Sequence, residues 1–106
     1  MRQTNADLRR YYATANRLYF HNKLPKDFPV RFGWLKETGL VRVRHSDQVP
    51  VDMTINEKLR TFQAITIMVV LHEMLHIEKP HHKGHGWRFD RRMLRLAKAG
   101  AFSGLW

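Results

Sequence analysis

Two histidines and a glutamate stand close together in the chain: His72, Glu73 and His76. If this segment is helical, His72 and His76 lie one turn apart on the same face, so both imidazoles can reach one metal ion at about 2.0–2.1 Å. Glu73 lies about 100° around the helix axis from His72, away from the ligand position but close enough to accept a proton from water at the metal. This spacing predicts zinc-assisted hydrolysis, in which zinc lowers the pKa of its bound water and Glu73 acts as general base.

A catalytic zinc ion usually takes three protein ligands, so a third ligand must come from another part of the chain. Cysteine is absent, so this ligand must be a histidine or a carboxylate. The candidates are His81, His82, His85 and Asp90. His85 is favoured because Gly84 and Gly86 flank it and allow the backbone to approach the site closely. His82 is the second choice.

The hydrophobic periodicity predicts an α+β fold in one domain over residues 1–106. The predicted elements are, in order, a helix over 5–21, strands over 30–35, 41–45 and 51–56, a helix over 61–78 and a last helix over 87–99. A turn over 36–39 would join the first two strands as a hairpin, which predicts a small three-stranded antiparallel sheet. The helix over 61–78 carries the metal motif and is apolar on nearly every side, so burial in the core is expected.

Several sequence blocks together resemble one family. His-Glu-Met-Leu-His over 72–76 is followed by Gly-His-Gly-Trp-Arg-Phe over 84–89 and by Met93, and upstream lie Phe-His-Asn-Lys-Leu-Pro over 20–25 and Ile-Asn over 55–56. These blocks resemble the SprT-like zinc metallopeptidases, the family that includes the DNA-dependent protease Spartan. The resemblance spans about residues 8–97 and implies a zincin-like fold, with His72, His76 and His85 as ligands of one zinc ion and Glu73 as general base. Without a cysteine zinc ribbon, the chain resembles a minimal, single-domain member.

The charge of the chain makes DNA a candidate partner. Lys and Arg number 19 against 9 Asp and Glu, which gives a net charge of +10 and an attractive field for polyanions. The last predicted helix carries a basic stripe opposite its apolar face, formed by Arg88, Arg91, Arg92, Arg95 and Lys98. Such a stripe can bind phosphates without reading sequence, but it is also typical of the solvated side of an amphipathic helix.

The leading hypothesis is a zinc metalloendopeptidase whose substrates are protein chains, including proteins bound or crosslinked to DNA. The alternative is a nucleic-acid-binding module whose structural or vestigial zinc site is closed by a fourth ligand, for example by both His82 and His85. No secretory signal is recognisable, and the longest apolar run, over 64–71, falls short of the roughly 20 residues that cross a bilayer. We therefore expect a cytoplasmic protein that does not associate with membranes and that can associate with the nucleoid. We also expect a monomer.

Overall fold

The computed structural model describes residues 2–78 and Arg95. Its elements are helix α1 (Asn5–Tyr19), strands β1 (Val30–Gly33), β2 (Gly39–Val43) and β3 (Pro50–Asn56), a 3-10 helix (Glu57–Leu59) and helix α2 (Gln63–Glu78). Helix α1 packs on β1, helix α2 packs on β2 and β3, and the two helices contact each other. The fold is therefore α+β, as predicted, with two helices and a three-stranded sheet among the described residues.

Helix α1 begins at a capping box. Thr4 Oγ1 accepts a hydrogen bond from the Asp7 backbone N–H at 3.2 Å, and Asp7 Oδ2 accepts one from the Thr4 N–H at 2.8 Å. Its buried side chains lie at helical spacing and are Leu8, Tyr11, Tyr12, Ala15 and Asn16. The helix ends two residues before the predicted end because His21 and Asn22 have φ values of 53° and 58°, in the left-handed region that terminates a helix.

The sheet is mixed, so the predicted antiparallel sheet with a β1–β2 hairpin is wrong. The strand order is β1-β3-β2, with β3 parallel to β1 and antiparallel to β2. Strand β3 is the longest of the three, and its Met53 and Ile55 are fully buried, which suits the central position. Residues 34–38 pass over the end of β3 instead of forming a tight turn. Alternation of apolar residues identifies a strand but does not determine which edges pair.

The hydrophobic core lies between the sheet and the two helices. Helix α2 contributes Ile67, Val70, Leu71, Met74, Leu75 and Ile77 to it. The prediction that this helix is buried on nearly every side is wrong, because Ile65 and Met68 remain 46% and 47% exposed. One face of α2 suffices to pack against the sheet and α1. Trp34, directly after β1, is 75% exposed.

The last predicted helix, over 87–99, lies outside the described residues except for Arg95, which is helical and exposed. Among the residues that the structure describes, no helix has the length and apolar content needed to cross a membrane.

Candidate metal centre

The last two turns of helix α2 bring His72, Glu73 and His76 together. The imidazole rings of His72 and His76 have centroids 5.2 Å apart with their planes tilted by 59°, as expected for side chains one helical turn apart. Both histidines are half-buried, whereas Glu73 is buried. One ligand atom from each residue can be chosen so that all three atoms lie within 4.8 Å of one another. The three residues therefore form a group that could hold a metal ion.

The donor set fits a transition metal such as zinc. Imidazole nitrogen is a preferred ligand of zinc, at about 2.0–2.1 Å, so two nitrogens on a tetrahedral ion lie about 3.3 Å apart. Small side-chain rotations bring a group of this size to that separation. His72 Nε2 and Glu73 Oε1 are 3.9 Å apart, so the carboxylate lies beside the two nitrogens. The donors suit zinc but do not by themselves distinguish it from copper, iron or nickel.

The predicted third ligand, His85, lies outside the described residues. The same holds for the other three candidates, His81, His82 and Asp90. Two histidine ligands alone leave coordination positions open on a tetrahedral ion, so the centre needs a further protein ligand to match a catalytic zinc site. The assignment of His85 stays a prediction.

Glu73 lies in an environment that changes its acidity. The residue is 6% exposed, and this burial, followed by the negative charge of Glu37, raises the pKa of the Glu73 carboxyl to about 7. A group with a pKa near neutrality can both accept and release a proton at physiological pH, which is the property of an effective general base. The sequence predicts Glu73 as a general base, and burial in the tertiary structure is the main cause of its raised pKa.

Gly39 lies beside the candidate centre, although the sequence predicts it as part of the turn over 36–39. It begins strand β2, is buried, and pairs with Ile55 of β3. A methyl group at this position would lie 2.8 Å from Val69 Cγ1 and 2.9 Å from Glu73 Cγ. Gly39 stands in phase with Val41 and Val43 on the inner face of β2, and a glycine in phase with a strand marks a close approach. This signal was available in the sequence.

The predicted basic stripe is described at one position only. Arg95 is exposed, while Arg88, Arg91, Arg92 and Lys98 lie outside the described residues. Arg42 in strand β2 and Arg44 directly after it are both engaged with carboxylates. Arg42 pairs with the buried Asp52, and Arg44 pairs with Asp47 at 2.6 Å. The positive charges of these two arginines are therefore compensated by neighbouring carboxylates, so they offer DNA little free charge.

No protein-family model, curated protein or solved structure matches this chain. Functional interpretation depends on the residues of the centre and on their geometry.

Proposed function

We propose that this chain is a zinc-dependent metalloendopeptidase of the SprT-like type that its sequence blocks resemble. The observation that carries the proposal is the grouping of His72, His76 and the buried Glu73 on α2, with ligand atoms within 4.8 Å of one another. His72 and His76 would hold the zinc ion, with His85 as the predicted third ligand. Two imidazoles and an adjacent carboxylate on one helix are the components of a zinc peptidase site.

Zinc in such a centre supplies Lewis acidity, which activates water and polarises a peptide carbonyl group. Glu73 acts as general base and accepts a proton from the attacking water. The same carboxyl group then donates this proton to the amine that leaves as the carbon–nitrogen bond breaks. In the metal-free protein, burial and the charge of Glu37 raise the pKa of the Glu73 carboxyl to about 7, which favours its uptake of a proton.

The position of strand β2 supports protein chains as substrates. Within the described sheet β2 has a single neighbour, β3, so its other edge can present backbone N–H and C=O groups. An extended peptide can add to such an edge through main-chain hydrogen bonds. Because Gly39 at the start of β2 lies against Glu73, a peptide along this edge would pass beside the general base.

The Glu73→Gln variant tests the proposal directly. Glutamine retains the size of the side chain but cannot act as a base, so zinc should still bind at one equivalent while kcat falls by about 10²–10⁴-fold. Zinc content is measured after dialysis, and activity is measured on an unfolded protein substrate. The His76→Ala variant provides the complementary control, because it should lose zinc and activity together.

The same assay separates the enzyme from the alternative. A zinc ion held by four protein ligands, in a protein that binds nucleic acid and cleaves no substrate, would contradict the peptidase and favour a structural zinc site. Cleavage of a basic DNA-binding substrate, compared with and without single-stranded DNA, tests whether proteins on DNA are preferred. Equal cleavage under both conditions would limit the proposal to a general endopeptidase.

A further inference from the structure

We propose that Gly39 is a positioning residue for Glu73, because the side chain of Glu73 is set against the bare backbone of strand β2 at this point. The inference rests on the proposed function, which gives Glu73 its catalytic task. Gly39 lies outside the metal motif, and through it the sheet orients the side chain of the general base. Helix α2 alone would leave that side chain free to choose among its rotamers.

Any side chain at position 39 would crowd helix α2. A methyl group at Gly39 would lie 2.9 Å from Glu73 Cγ and 3.3 Å from Glu73 Cδ, the carbon that carries both carboxylate oxygens. It would also lie 2.8 Å from Val69 Cγ1, one turn earlier on the same helix. Carbon atoms that are not bonded prefer about 3.5–4.0 Å, so Glu73, Val69 or the helix as a whole would have to move.

Strand β2 is not free to move away instead. The buried side-chain amide of Asn56 donates hydrogen bonds to the carbonyls of Leu35 at 3.1 Å and Glu37 at 2.9 Å. The Asn56 backbone N–H donates to the Thr38 carbonyl at 2.9 Å, immediately before Gly39. These three bonds hold residues 35–38 to the end of the central strand β3. Crowding at position 39 is therefore relieved on the helix side, where the Glu73 carboxylate lies.

The chain contains a matched control for this substitution. A methyl group at Gly33, in strand β1 of the same sheet, would lie 2.9 Å from Thr54 Cγ2. Gly33→Ala therefore introduces similar crowding in the same sheet, against a side chain that is not part of the metal centre. Val69→Ala provides a second control, because it removes the Val69 methyl groups without adding a side chain at position 39. Combined with Gly39→Ala, it relieves the crowding at Val69 and leaves the conflict with Glu73.

The experiment compares the wild-type chain with Gly39→Ala, Gly33→Ala, Val69→Ala and the Gly39→Ala/Val69→Ala double variant. Stability, bound zinc, kcat and KM on a peptide substrate are measured for each. A displacement of the base by about 1 Å should lower kcat by about 10²-fold. We expect this loss in Gly39→Ala, with one equivalent of zinc retained and KM changed less than about 3-fold.

Gly33→Ala and Val69→Ala should keep kcat within about 3-fold of the wild type. The double variant should regain stability but not kcat.

A nuclear Overhauser effect between the Gly39 α-protons and the Glu73 γ-protons tests the contact without any activity. It should be strong in the folded wild-type chain, and the Glu73 Cδ chemical shift should change in Gly39→Ala but not in Gly33→Ala. Absence of this effect in the wild type would overturn the inference even if the variants failed to fold. Retention of kcat in Gly39→Ala, or its recovery in the double variant, would also overturn it. If the wild type binds zinc but cleaves nothing while the spectroscopic results hold, the proposed function fails and the contact between Gly39 and Glu73 stands.

Discussion

Replacing Glu73 with glutamine should stabilise the metal-free protein at neutral and alkaline pH and leave its stability near pH 4 almost unchanged. Glu73 is 6% exposed, and burial together with the charge of Glu37 raises the pKa of its carboxyl from the ordinary value of 4.5 to about 7. Glutamine has nearly the shape of the neutral carboxyl group and carries no charge at any pH. The variant therefore removes the cost of ionising a buried group and little else.

The magnitude follows from proton binding. The folded protein keeps the Glu73 proton up to about pH 7, whereas the unfolded chain releases it near pH 4.5. Between these values the folded state binds more protons, so the free energy of unfolding of the wild type falls as the pH rises. At about 1.4 kcal/mol per pKa unit, the fall amounts to roughly 3 kcal/mol. This contribution of Glu73 is fully present below pH 4.5 and is lost above about pH 7.

Urea unfolding of the chelator-treated wild type and Glu73→Gln from pH 4 to pH 8.5 measures this difference. The free energy of unfolding of the variant should equal that of the wild type at pH 4 and exceed it by roughly 3 kcal/mol at pH 8. His72 and Glu37 are present in both proteins, so only their interaction with the Glu73 charge enters the difference. Glu37→Gln removes the smaller cause and should reduce the effect only in part. A difference that is constant across this pH range, or a wild type more stable than the variant at pH 8, would refute burial as the source of the raised pKa.

Three further predictions concern the Asn56 hydrogen bonds, the binding of zinc and the basic stripe. Asn56→Asp keeps the side-chain acceptor but loses the two hydrogen bonds donated to the carbonyls of Leu35 and Glu37. Urea unfolding should therefore show that the free energy of unfolding falls by about 2–3 kcal/mol. A free energy of unfolding equal to that of the wild type would show that these bonds are unimportant. Added zinc should raise the melting temperature of the wild type but not of His76→Ala, because only a protein that binds the ion gains from it, and equal shifts would place the ion elsewhere. If Arg95 contacts DNA phosphates, Arg95→Ala should lower the slope of log binding constant against log salt by about one, and an unchanged slope would remove Arg95 from the interface.

Local features of the fold followed from the sequence because their physics acts over a few residues. Apolar residues at three- and four-residue spacing mark α1, and alternating apolar residues mark the strands. The helical repeat of 3.6 residues places His72 and His76 on one face with Glu73 offset, whatever surrounds the helix. For this reason the candidate metal group could be named before any tertiary contact was known.

Only the tertiary structure decided how these elements are arranged and what surrounds the base. The period of two is the same for parallel and antiparallel neighbours, so it could not place β3 between β1 and β2. The central position depends on which strand is long and apolar enough to pair on both edges, and on the Asn56 bonds that carry residues 35–38 across its end. The same arrangement brings Gly39 against Glu73, 34 positions along the chain, and buries the carboxyl group. Side-chain chemistry and spacing identify the candidate metal group, whereas long-range packing sets the acidity of Glu73 and places its side chain against Gly39.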